Sequence, residues 1–334
     1  FDVEVGATRS AASNSSRRRL QDQEIKTARQ QINKQRRELA RQEREITRLR
    51  MELSAASRLG QDVKAEEARW EIGSQQSGAL PDFLIVGAQK CGTTFLYHLL
   101  NQHLNVAPAS TKEVHYFDVH FAKGEDWYRS HFSPPSWRKG RRSITGEASP
   151  YYLFHPHAAR RAANTVPKAK LISLLRNPVD RAYSDYKHKA REGRDPLSFE
   201  KAIEAEEGRL RGEREKMLAD ESYLSPNHRK FSYLSRGIYV DQLIEWCEYF
   251  DQDQMLVLNS EAFFADPLES LGPIFKFLGL PSWEPELQSI RANSNTRHEG
   301  TYGRMSPDIR RRLETYFEPH NRRLYNYLDV DFGW

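Results

Sequence analysis

The chain has 334 residues and a formal net charge of +5, enough length for one large α/β domain plus an appendage. Residues 1–78 hold 16 Lys/Arg against 12 Asp/Glu, so +4 of the +5 lies there, and the near-neutral remainder excludes a surface that coats nucleic acid uniformly. Two cysteines, Cys91 and Cys247, make no disulfide framework, and no apolar run approaches the ~20 residues of a membrane span.

Residues 1–16 are small and polar and are expected to be disordered. From Arg17 to Leu59 the chain has no Pro or Gly, and Ile25, Ile32, Leu39, Ile46 and Leu53 recur every seven residues. The matching positions Ala28, Gln35, Gln42, Leu49 and Ala56 form a poor second column. This predicts a weakly associating coiled-coil stem over 17–59 and a homo-oligomer through it, with a solvated single helix as the other reading. Residues 60–80 read as a linker and 81–334 as the catalytic domain.

Within that domain, strands are expected at Phe83–Gly87, Ser143–Gly146, Lys170–Leu175 and Gln254–Asn259. Helices are expected at Thr93–Gln102, Pro156–Asn164, Pro178–Arg191, Phe199–Met217, Tyr239–Phe250, Pro267–Leu278 and Ser306–Tyr327. Their alternation implies an α/β fold with a P-loop-like, mostly parallel sheet flanked by helices, ligands lying at the carboxyl ends of the strands. The charged stretch Asp195–Arg229 reads as an exposed helix and a mobile loop.

Gly87-Ala88-Gln89-Lys90-Cys91-Gly92-Thr93-Thr94 joins the first strand to the first helix. A glycine-bracketed loop there cradles a phosphate with backbone N–H groups and the helix dipole. Its spacing is that of a Walker loop, but Thr93 stands where a nucleotide triphosphatase carries Lys, and the lysine is Lys90. Alone, the loop leaves a P-loop kinase open. Three further segments narrow the choice. Lys112-Glu113-Val114-His115-Tyr116-Phe117-Asp118 brings a carboxylate and an imidazole together. Leu174–Tyr186 ends a buried strand in Arg176 and carries Ser184 on the following helix, so both can contact one phosphate. Tyr302-Gly303-Arg304 precedes the last helix.

In these motifs the chain resembles the sulfotransferases that use 3′-phosphoadenylyl sulfate (PAPS), especially the Golgi carbohydrate branch of heparan sulfate 3-O- and N-sulfotransferases. The resemblance runs from about Pro81 to Trp334 and includes Asp126-Trp127-Tyr128 and Gly146–Tyr152. It implies that Lys90, Cys91, Gly92, Thr93 and Thr94 hold the 5′-phosphosulfate, Arg176 and Ser184 the 3′-phosphate, and that the loop Tyr302, Gly303, Arg304 closes over the nucleotide. Glu113 is implied as the catalytic base. The chemistry agrees: sulfuryl transfer needs an in-line acceptor and a neutralised leaving group, which Lys90 supplies at the bridging oxygen. His115 is a second base or an orienter, and no metal is expected. Two family features are missing: Ala148 stands where the 3-O-enzymes carry a substrate-contacting Lys, and Asn293–Glu299 holds no cysteine. The acceptor is therefore expected to be a carbohydrate or other hydroxyl, with no nucleic acid partner. The stem suits a Golgi lumenal protein anchored upstream of Phe1, and a cytoplasmic location if the source is bacterial. A small-molecule kinase and a non-catalytic scaffold are the rival readings.

Overall fold

The computed structural model describes residues 78–138, 140–285 and 305–334. The predicted leader, the coiled-coil stem and most of the linker lie outside the described residues. The strands are β1 (Phe83–Gly87), β2 (Val106–Pro108), β3 (Trp137–Arg138), β4 (Arg141–Arg142), β5 (Ile144–Ala148), β6 (Lys170–Leu175) and β7 (Met255–Asn259). The helices of four or more residues are α1 (Thr93–Asn101), α2 (Glu125–Arg129), α3 (Ala158–Thr165), α4 (Pro178–Arg191), α5 (Phe199–Leu210), α6 (Glu213–Ala219), α7 (Pro226–Lys230), α8 (Tyr239–Cys247), α9 (Ser260–Ala265), α10 (Pro267–Leu278) and α11 (Pro307–Leu328).

Five strands form one parallel sheet in the order β2-β5-β1-β6-β7. Every residue of β1 is buried, as a strand covered on both faces demands. The chain leaves β1 toward β2 and β5, then crosses to β6 on its other side. The carboxyl end of β1 is thus the point where the winding reverses, and crevices for ligands open there. The main apolar core lies around the sheet, and a second cluster joins α4, α5 and α11 through Val179, Tyr186, Phe199, Tyr233, Leu313 and Phe317. Asn177 starts α4 by accepting from the Val179 and Asp180 amides at 3.0 and 3.4 Å, with Pro178 behind it.

Three expectations need correction, and several short elements were not foreseen. The strand expected at Ser143–Gly146 is Ile144–Ala148, one residue later at its start and two at its end. The helix expected over Phe199–Met217 breaks into α5 and α6, because Gly212 takes φ +73°. The ribbon β3–β4 and the short elements β2, α2, α7 and α9 are too brief to show a period. The stretch Asp195–Arg229 is built into the core at several points, with Asp195, Glu206, Glu213 and His228 all buried. Glu206 accepts from the Leu234 and Ser235 amides at 2.7 and 2.9 Å and from the Ser235 hydroxyl at 2.8 Å. Glu206 reads as surface charge because its donors lie about 30 residues further on.

Candidate active site

The loop after β1 has the backbone of an anion cradle. Lys90 takes φ +71° and Gly92 φ +97°, so amides turn inward over a tight span. A Cβ on Gly92 would stand 2.8 Å from the Phe264 ring, so only glycine fits there. No side chain caps α1 and no acidic residue lies in its first turn, which leaves its leading amides for a ligand. Thr93 is buried and Thr94 exposed, so the two threonines expected to act alike face different surroundings. Cys91 is fully buried, its thiol pushed up to about 11 by burial, and its carbonyl accepts from Ser260 Oγ at 2.8 Å. It fills the loop and is no nucleophile.

Lys90 has no hydrogen bond or ion pair within the limits of such contacts among the described residues. Burial lowers its pKa, and the Asp185 charge opposes that. Asp185 and Arg191 of α4 and Glu192 just after it all act on it, so α4 runs beside the loop. Arg176 stands at the end of β6, its carbonyl fixed by Tyr239 Oη at 2.8 Å, and its guanidinium has no such partner among the described residues either. Ser184 is half-buried on α4. Behind them Asp185 faces three cations: Arg181 at 3.4 Å, Arg236 at 3.7 Å and Lys189 at 3.8 Å. The buried cluster therefore carries surplus positive charge, which a ligand with two phosphates would offset. This donor set fits a nucleotide phosphorylated at both ends of its ribose.

Facing the loop is the segment 112–118. His115 takes φ +55°, and that left-handed turn, not strand alternation, swings its ring back to Glu113. Nε2 lies 3.2 Å from Glu113 Oε2 and Nδ1 lies 2.8 Å from Asp118 Oδ2. The Glu113–His115–Asp118 relay was read in the sequence for its first two members only. Burial raises Glu113, but hydrogen bonds from His115 and Lys112 outweigh it and pull the carboxyl down to about 2. Burial lowers His115, and its two carboxylate partners outweigh that and lift it to about 9. The pair rests as imidazolium and carboxylate. Lys112 Nζ reaches Glu113 Oε1 at 2.8 Å and Thr94 Oγ1 at 2.7 Å, which ties the carboxylate to the first turn of α1.

Beneath this segment, Glu147 is fully buried at the end of β5 and accepts four hydrogen bonds. They come from Tyr128 Oη at 2.8 Å, Tyr152 Oη at 2.9 Å, Ser149 Oγ at 2.6 Å and the Val114 amide at 3.2 Å. Ser149 in turn accepts from the His115 amide at 3.0 Å, and Tyr152 from the Tyr116 amide at 2.7 Å. Burial still pushes the Glu147 carboxyl up to about 7 against its four hydrogen bonds. Next to it Ala148 is buried at the end of β5. Arg229 reaches over the relay, its Nη2 3.5 Å from His115 Nε2. Sequence reasoning missed Asp118, Glu147, Arg229 and Arg236. Only Asp118, three residues after His115, carried a local signal. Tyr302, Gly303 and Arg304 lie outside the described residues. Tyr239 and Gln242 are buried on α8, and Cys91 and Cys247 are both free.

Comparison with known proteins places these features among relatives. The sulfotransferase domain family matches residues 80–299. The chain is 32% identical over 272 residues to human heparan sulfate glucosamine 3-O-sulfotransferase 6, a match covering 76% of this chain and 73% of that protein. It is 28% identical over 320 residues to the membrane-associated sulfotransferase kil1 of Dictyostelium discoideum, covering 76% of this chain and 66% of the relative. Against a bifunctional heparan sulfate N-deacetylase/N-sulfotransferase of Caenorhabditis elegans it is 31% identical but spans only 30% of that longer protein. Among solved structures, a sulfotransferase from Alicyclobacillus acidocaldarius is 31% identical, with a TM-score of 0.61 over 76% of this chain and 98% of that one.

Proposed function

From the premise that the chain belongs to the sulfotransferase domain family, we propose that it moves a sulfuryl group from PAPS to a hydroxyl of a carbohydrate acceptor. The observation that carries the reading is the Lys112 bridge. It holds a relay of Glu113, His115 and Asp118 two hydrogen bonds from the N-terminus of α1, where the phosphosulfate would sit.

In this reading the loop amides and Thr94 bind the 5′-phosphate and Lys90 meets the charge that develops on the leaving oxygen. Arg176 and Ser184 take the 3′-phosphate. The acceptor hydroxyl replaces Lys112 on Glu113, which then receives its proton while the S–O bond to the donor breaks. A carboxylate held at about 2 is a weak base, and that suffices because a loose transfer state needs the proton removed late. His115, charged and held by Asp118, orients Glu113. Tyr302, Gly303 and Arg304 closing over the nucleotide, self-association through residues 17–59 and a Golgi lumenal location belong to the same proposal. No helix among the described residues is long and apolar enough to cross a membrane.

The test is transfer of labelled sulfate from PAPS to a panel of glycans, with calorimetry of 3′,5′-ADP in magnesium and in EDTA. Binding of 3′,5′-ADP in both buffers and loss of transfer in Glu113→Gln support the reading. Binding of Mg-ATP alone would favour a kinase, and unchanged transfer in Glu113→Gln would remove Glu113 as the base.

A further inference from the structure

Arg236 is 1% exposed, far from any position where its charge meets solvent. Its guanidinium spans two parts of the site. Nη1 donates to the Gln89 side chain, next to Lys90 in the donor loop. Nη2 donates to the carbonyls of His228 at 3.2 Å and Arg229 at 2.9 Å. It lies 5.2 Å from the ring centres of both Tyr151 and Phe154, and Phe154 stacks on His228 at 4.3 Å. Arg229 is the residue whose side chain approaches His115. One buried fork therefore touches the loop that meets the donor and the peptide that aims a cation at the acid–base relay. A guanidinium is planar, and its donors are set at fixed angles, so a shift at Gln89 is passed to residues 228–229 and not absorbed.

We propose that Arg236 is a positioning residue that couples the donor loop to the α7 segment, so that filling the donor site tightens the Arg229 side of the acceptor site. The inference rests on the PAPS reading above. The route is short and physical: loop, Gln89 amide, Arg236 guanidinium, the 228 and 229 carbonyls, then Arg229 over His115. The surplus charge behind it gives the coupling its driving force. Arg236, Arg181 and Lys189 share the single carboxylate of Asp185 at 3.7, 3.4 and 3.8 Å. Anionic phosphates near Lys90 offset the mutual repulsion of these cations and strengthen the hold of the fork on both partners.

The experiment is hydrogen exchange on the whole chain with and without saturating 3′,5′-ADP, saturation being set by calorimetry for each variant. In the wild type, exchange over 226–237 should slow roughly tenfold, a usual size for coupled sites. In Gln89→Ala, which keeps Arg236 and its other contacts, the nucleotide should bind yet produce no slowing. Arg236→Lys, which keeps the charge and loses the fork, should behave the same way, and if that variant does not fold, Gln89→Ala decides. A purely structural role would raise exchange equally with and without nucleotide and leave the ligand effect intact, which overturns the proposal. So does a wild type that binds 3′,5′-ADP without slowing at 226–237, while the donor reading survives. A wild type that does not bind 3′,5′-ADP overturns the donor reading and this inference with it.

Discussion

Replacing Asp118 with Asn should produce an activity defect that depends on pH. Asp118 Oδ2 holds His115 Nδ1 at 2.8 Å, and Oδ1 accepts from the Val119 amide at 2.6 Å. An asparagine keeps an acceptor for that amide and removes the charge. His115 stands at about 9 against an ordinary 6.5. At 1.36 kcal/mol per unit that is roughly 3 kcal/mol of preference for the charged ring. Two carboxylates supply it and also offset burial, so losing one should return the ring to ~7. At pH 8 the charged fraction then drops from about nine-tenths to about one-tenth, and kcat/KM should fall ~10-fold. At pH 6 both forms are charged and the loss should stay under ~2-fold. The assay is sulfate transfer from labelled PAPS across pH 5.5–9.5 with acceptor below KM. If His115 is itself the base, the signs reverse: wild-type activity climbs toward pH 9 and Asp118→Asn gains at pH 7. A loss equal at pH 6 and pH 8 would also refute the orienting role.

Lys90→Ala should lower kcat by ~10²–10³-fold with little change in 3′,5′-ADP affinity, and Arg176→Ala should do the opposite, both read by steady-state kinetics with calorimetry. Gly92→Ala forces a side chain into φ +97° and against Phe264, so the melting temperature should fall by the equivalent of ~1–3 kcal/mol and 3′,5′-ADP binding should weaken. Glu147 has its native carboxyl at about 7 against an unfolded value near 4.5. The native state then holds the proton more tightly, so this contribution favours folding below pH 4.5 and is lost as pH rises through 7. Glu147→Gln should flatten that slope in urea titrations at pH 5 and pH 8. His115, raised to about 9, adds stability present below 6.5 and lost as pH rises through 9, and His115→Gln should remove it.

The parts legible in the sequence share one property: their signal is local. β1, the loop to Thr94, β6 and α4 are each a single run of residues whose order dictates strand, glycine turn and capped helix. The Glu113–His115 pair was legible for the same reason, and a left-handed turn at His115 is what makes them meet. What escaped was assembled across the chain. Glu147 gathers donors from Tyr128, Ser149, Tyr152 and Val114. Arg236 reaches Gln89 across 147 positions of sequence separation and joins it to residue 229. Buried charges of this kind look like surface charges until their partners are known, which is also why the stretch from Asp195 to Arg229 was read as solvent-facing.

Lys112 has a consequence for the idle enzyme. In the structure both oxygens of Glu113 are taken, one by an ammonium and the other by an imidazolium. A molecule that wants the base must displace a charged donor, worth ~1 kcal/mol for a pair this open to solvent. Water makes no other contacts from which to recover that loss, whereas an acceptor sugar does. Under the proposed activity the bridge is a guard against spending the activated donor on solvent, withdrawn only when a hydroxyl arrives with the rest of its substrate attached.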